Sequence, residues 1–175
     1  MRAISQFVGQ PLKWEQPKAM KMEYELHCGE ELVATLRFRS AFGSFATAES
    51  ADGCWTFKRV GFFQTRVNIR TCDSEADLAA FRNNTWTSGG TLELPDGRHF
   101  PASTNFWMTK YEFRNEAEEE LFAYRKIGGF LHMSSYVDIQ PGTASLAELP
   151  WMVLLGWYLV ILLQQDAAAV AAAAT

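Results

Sequence analysis

Fifteen consecutive residues near the C-terminus of this 175-residue chain, Leu149 to Leu163 (LPWMVLLGWYLVILL), carry no charge. A helix on a protein surface keeps a polar stripe along one side. Here Trp151, Met152, Val153, Leu154, Leu155, Trp157, Leu159, Val160 and Ile161 point in every helical direction, so the helix must be enclosed by protein or by lipid. At 1.5 Å per residue the run spans roughly 22 Å, short of a hydrocarbon core of about 30 Å. Gln164, Gln165 and Asp166 follow it directly, and no Lys or Arg flanks it to anchor a span at the headgroups. Enclosure by protein is the primary reading. A single-pass tail anchor using residues 149–163 is the alternative.

The chain before the run supplies an enclosure. From Met22 onward short alternating segments are punctuated by turn signals about every 8 to 14 residues, the pattern of an all-β meander, sandwich or barrel. Thr65, Val67 and Ile69 alternate with Arg66, Asn68 and Arg70, as a strand with one buried face requires. Leu94-Pro95-Asp96-Gly97-Arg98-His99 reads as a hairpin turn, in which Pro presets one backbone angle and Gly supplies a positive φ. About ten strands are legible, with Phe106 to Phe113 taken as one of them. No amphipathic segment of 10 to 15 residues separates them, so parallel βαβ units are excluded. The expected fold is mainly β: a closed antiparallel barrel of about 10–12 strands around a central apolar helix at 146–165. That helix starts at a capping box from Ser145 or near Glu148 with Pro150 in its first turn. Residues 1–21 read as an extended lead-in, 22–166 as one domain, and 167–175 as an Ala-rich tail.

Composition removes several classes of function. The net charge of −4 gives no global basic field for nucleic acid. Cys28, Cys54 and Cys72 are odd in number and widely spaced, indicating neither a zinc site nor a disulfide framework, and a reducing cytoplasm fits them. The N-terminal segment lacks the apolar stretch of a signal peptide. His27, His99 and His132 are scattered, and there is no GxSxG, GxxxxGK or GxGxxG motif, so no residue is nominated as catalytic.

Asp52-Gly53-Cys54-Trp55-Thr56-Phe57-Lys58-Arg59-Val60-Gly61-Phe62, then Arg66-Val67-Asn68-Ile69-Arg70, then the closing LPWMVLLGWYLVILL, follow one another in an order that resembles the Tubby-like superfamily. That superfamily comprises the Tubby C-terminal domain, the phospholipid scramblases and the LURP-one-related proteins. The resemblance covers roughly residues 22–165 and implies a closed twelve-stranded barrel around a central helix, with membrane phospholipid as a recurring partner. It departs from the scramblases before the last helix, where their acidic calcium loop is matched only by Asp138-Ile139-Gln140-Pro141-Gly142, with one carboxylate.

Arg37, Arg39, Lys58, Arg66 and Arg70 alternate with apolar neighbours and are expected on the outer wall. Adjacent strands would gather them into a basic patch for lipid phosphates. Lys58, Arg59, Arg66, Arg70 and Arg37 are the candidate headgroup-binding residues, against the plainer reading of a solvated wall paired with acidic residues. Glu116, Glu118, Glu119 and Glu120 read as a solvated acidic turn rather than a cation site. Trp55, Trp86, Trp107 and Phe106 read as core, or else as the lining of a ligand cavity. The expectation is a monomeric, cytoplasmic, non-enzymatic binding or scaffold protein, peripheral to anionic membranes, without metal or cofactor. A small-ligand carrier or enzyme on a β-barrel is the further alternative.

Overall fold

The computed structural model describes residues 1–84 and 88–175. Twelve antiparallel strands follow one another around a closed barrel in which each pairs with its sequence neighbours and the last pairs with the first. They are β1 (Leu12–Glu15), β2 (Glu23–Cys28), β3 (Glu31–Phe38), β4 (Ala46–Ser50), β5 (Gly53–Val60), β6 (Arg66–Thr71), β7 (Ala79–Asn83), β8 (Gly90–Glu93), β9 (His99–Thr104), β10 (Lys110–Arg114), β11 (Glu120–Gly128) and β12 (Ser134–Ile139). Helix α1 (Leu149–Ala173) runs through the lumen. Alternation does the sorting: Val67 and Ile69 are fully buried, while Arg66, Asn68 and Arg70 face outward.

Two of the twelve strands are absent from the sequence reading. Leu12–Glu15 belongs to the segment read as an extended lead-in, yet it closes the barrel between β12 and β2, with Trp14 opposite both Ser135 and Leu26. Four residues between two prolines are too few for a periodicity to register. Strand β9 contains Pro101, which normally speaks against a strand. It is tolerated because pairing with β10 reaches only as far as Ala102. The segment from Phe106, read as strand, begins as a loop, and β10 starts at Lys110. The hairpin at Leu94–Arg98 forms as expected: Leu94 N–H donates to the Arg98 carbonyl, and Gly97 has a φ of 92°.

The apolar run is enclosed by protein. From Trp151 to Leu162 every helix residue is buried. Trp157 sits among Trp14, stacked at 5.8 Å, Tyr24 at 5.9 Å and Tyr124 at 6.1 Å. Tyr158 stacks on Phe38 at 5.4 Å and donates to the Ser44 carbonyl at 2.6 Å. Each such large apolar side chain contributes about 1.5–3 kcal/mol on burial. The helix is capped at Glu148 without a side-chain bond, so the capping box does not form; Pro150 lies in the first turn, where a missing N–H costs nothing. The Glu148 carboxylate pairs instead with Arg98. The helix continues beyond 165 through Ala173, with the Ala-rich tail exposed.

The 3₁₀ turn Ile4–Phe7 buries both its apolar ends against α1 and ties its backbone to the wall, Ile4 N–H donating to the Asp52 carboxylate at 2.9 Å. Residues 1–21 therefore plug one end of the barrel and complete its wall. Cys54 and Cys72 form a disulfide between β5 and β6, Cα atoms 5.4 Å apart, and Cys28 is free. This corrects the reading of three unpaired thiols. The register pairs Trp55 with Thr71, so residues 54 and 72 stand opposite each other, a relation invisible in their spacing. The cysteine argument for a reducing compartment falls with it.

Two measurements bear on these contacts. A Cβ on Gly156 would meet Tyr124 Cε2 at 2.6 Å. Gly156→Ala should therefore cost about 1–3 kcal/mol in chemical denaturation through overpacking, and an unchanged midpoint would mean the helix does not approach β11 so closely. Reducing the Cys54–Cys72 bond, which spans 18 residues, should cost about 3 kcal/mol. Identical melting curves with and without reductant would argue against the bond.

Candidate functional site

Because an even number of strands meanders around the barrel, successive loops fall at alternating ends. Loops 16–22, 39–45, 61–65, 84–89, 105–109 and 129–133 share one end, and loops 29–30, 51–52, 72–78, 94–98, 115–119 and 140–148 share the other. The helix enters from the second end and leaves through the first, where Gln164 donates to the Met108 carbonyl at 3.3 Å and Asp166 pairs with Arg59. The first is the helix-exit end. The N-terminal 3₁₀ turn, through Ile4 and Asp52, covers the opposite one.

The five candidate cations divide into three environments. Arg37, Lys58 and Arg66 are exposed on the outer faces of β3, β5 and β6, and no carboxylate comes within ion-pairing distance of them among the described residues. Arg70 also faces outward but is held by Asp77 at 2.6 Å. Arg59 does not belong to the wall at all. It shares the inward face of β5 with Phe57 and holds Asp166 through two hydrogen bonds, 2.7 and 3.2 Å, where the helix leaves. Neighbours on a strand face opposite sides, so Lys58 and Arg59 could never act together on one face.

Pairing along the chain makes the free cations conspicuous. Seven of the ten arginines hold a carboxylate. The three that hold none among the described residues, Arg37, Arg39 and Arg66, all lie near the helix-exit end of β3 and β6. Of the lysines, Lys18 and Lys21 in loop 16–22, Lys58 two residues from the end of β5 and Lys126 near the end of β11 also lack a carboxylate partner among the described residues. A shallow hollow of about 360 Å³ on the outer wall is lined by Thr35, Arg37, Arg39, Phe45, Thr47 and Glu49. Sequence reasoning found Arg37 and Arg39 there, but the cations of loop 16–22 escaped it because that segment was read as lead-in.

Elsewhere the wall neutralises itself. Glu112 receives Lys110 at 2.5 Å and Arg114 at 2.6 Å, and Glu120 receives Lys110 and Arg125. Burial pushes the Glu112 carboxyl up, but the hydrogen bonds from Lys110 and Arg114 outweigh it and hold it down at about 2. Among the described residues no group of three or more His, Cys, Asp or Glu side chains could hold a metal ion. Of the acidic turn, Glu116 accepts from the His99 backbone N–H and Glu119 from the Asn115 side chain, an internally bonded loop.

The lumen is occupied by α1 and the core packed around it. Trp55 is buried in that core, whereas Phe106 and Trp107 are exposed at a loop tip. Trp86 lies outside the described residues. A hollow of about 280 Å³ beside Arg59, Asp166, Tyr111 and Leu162 marks the helix exit. One helix, Leu149–Ala173, is long and apolar enough to cross a membrane by length and composition, and 56% of its most apolar stretch is buried within the barrel. No protein-family model, no curated protein and no solved structure matches this chain.

The network around Glu112 carries a pH dependence. A carboxyl held below its ordinary range stabilises the fold fully above that range, and the contribution disappears as pH falls toward 2. Denaturant midpoints should accordingly fall between about pH 5 and pH 2, less steeply for Glu112→Gln. A variant whose acid slope equals that of the wild type would exclude Glu112 as the source.

Proposed function

We propose that this protein is a non-enzymatic binding module of the Tubby-like type that recognises anionic phospholipid headgroups at a membrane surface. The observation that carries the reading is the set Arg37, Lys58 and Arg66, exposed on β3 and on the paired strands β5 and β6 without carboxylate partners among the described residues, in a chain of net charge −4 that pairs most of its other arginines. An acidic protein that leaves its free cations on one side presents a local positive field, and an anionic leaflet is the extended partner such a field attracts. A lumen occupied by α1 counts against the carrier alternative, since barrels that hold ligands do so inside. Burial of every residue from Trp151 to Leu162 counts against a tail anchor, because inserting them would mean emptying the core. The order of elements is the one the Tubby-like resemblance implies. Arg70, committed to Asp77, and Arg59, committed to Asp166, are withdrawn from the contact set.

Each basic residue near an anionic leaflet is worth about 1 kcal/mol. The variant Arg37→Gln/Lys58→Gln/Arg66→Gln should therefore bind phosphatidylserine-containing vesicles on the order of a hundredfold more weakly in co-sedimentation at low salt. Wild-type binding should itself weaken as salt rises. Equal binding by both proteins, or no binding by either, retires the proposal.

A further inference from the structure

The loops of the two ends differ in a way the fold does not require. At the helix-exit end lie Phe42, Phe62, Phe63, Phe106, Trp107 and Phe130, each between 77 and 104% exposed, together with Met20 and Leu131. They occupy five of the six loops at that end. No large apolar side chain is exposed in the described loops of the opposite end. Six aromatic side chains of about 150–250 Å² each amount to on the order of 1,000 Å². Apolar side chains scattered singly over a surface are ordinary, whereas here they gather at one end of the barrel.

Charge follows the same axis. The loops at the helix-exit end contain no Asp or Glu, and they carry Lys18, Lys21 and Arg39. The opposite loops hold Asp73, Glu75, Asp77, Glu116, Glu118 and Glu119 among their acids, with Arg98 as their one Lys or Arg. Every described Lys or Arg without a carboxylate partner sits in the helix-exit half: Arg37, Lys58, Arg66 and Lys126 at the strand ends beside the loop cations. The molecule is thus polarised along the barrel axis, cationic and aromatic at one end, anionic and polar at the other. The helix segment that leaves through the aromatic end, Ala167 to Ala174, is uncharged and exposes Val170.

We infer that the helix-exit end is a membrane-penetrating face, its aromatic loop tips entering an anionic phospholipid bilayer with the barrel axis along the membrane normal. The loops there run five to seven residues, those opposite from two to nine. Aromatic rings favour the interfacial region of a bilayer, and the cations at the strand ends behind them lie at the level of the phosphates when the tips are inserted. The acidic loops are then held farthest from the anionic surface, which orients the protein before contact. A second protein could cover such a surface. Lipid is favoured by the charge complementarity and by the placement of the aromatics in four loops on both sides of the mouth rather than on one flank.

The inference rests on the membrane reading above and can fail separately from it. In a Cys28→Ser background, an environment-sensitive NBD label at Phe62→Cys or Phe130→Cys should brighten and shift to the blue on adding vesicles of phosphatidylcholine and phosphatidylserine. The same label at Asp73→Cys, at the opposite end, should not respond. The variant Phe62→Ser/Phe63→Ser/Phe106→Ser/Trp107→Ser should bind those vesicles at least tenfold more weakly with its melting temperature unchanged, since these side chains contribute little to the core. Vesicle binding with labels at 62 and 130 still in water overturns penetration and leaves the charged wall as the contact. Wild-type binding retained by the quadruple variant overturns it too. Self-association of the lipid-free protein that the quadruple variant abolishes, without vesicle binding by either, overturns the lipid assignment in favour of a contact between copies of the chain.

Discussion

The structure depends on one requirement, that a helix without a polar face be surrounded on all sides. A single sheet covers one side of a helix and leaves the other in water. Only a closed wall accommodates Trp151 to Leu162, and closure in turn obliges the first strand to meet the last. Short as it is, Leu12–Glu15 is therefore as necessary as any longer strand, because without it β2 and β12 would present unpaired edges. Contacts inside the lumen then fix the helix along its axis. Gly156 lets the backbone approach Tyr124, whose hydroxyl donates to the Val153 carbonyl, and Trp157 is gripped from three strands.

Much of this was legible in the sequence. The uncharged run, its short length and the polar break at Gln164 to Asp166 identify a buried helix, and the two-residue alternation identifies the wall around it. What escaped notice was short or contradictory: β1, with too few residues for a period, and β9, where Pro101 argues the wrong way. The disulfide escaped for a different reason. Which cysteines meet is decided by register across β5 and β6, and register is a property of the pair of strands, not of the interval between residues 54 and 72.

The candidate site was half legible. Alternation correctly placed Arg37, Lys58, Arg66 and Arg70 outside. The same rule, applied to Phe57 and Arg59, already puts Arg59 inside, so that misplacement came from reading a segment as a unit rather than residue by residue. Whether a cation is free is beyond sequence altogether: Arg70 and Arg66 occupy equivalent positions on one strand, and only the turn that brings Asp77 back to Arg70 separates them. The polarity of the two ends was accessible in principle. In a closed meander alternate turns share an end, and the doublets Phe62-Phe63, Phe106-Trp107 and Phe130-Leu131 all fall in turns of the same parity. Reading turns as punctuation, and Phe106 as strand, concealed it.

A filled lumen and a closed wall restrict where this protein can work. The interior is committed to stability, and the wall has no free edge to add a strand to, which leaves the outer surface and the two ends. One end is covered by the N-terminal 3₁₀ turn, bonded to Asp52. The other stays open around the emerging helix and bears the exposed aromatics. With more than a dozen helix residues already buried, the fold has no need of Phe62, Phe63, Phe106 or Trp107 for its core, and in water their exposure only invites aggregation. Apolar groups that contribute nothing to the folded monomer and lower its solubility make physical sense only against a surface outside it. That is why the strongest functional signal lies in the loops the barrel can best do without.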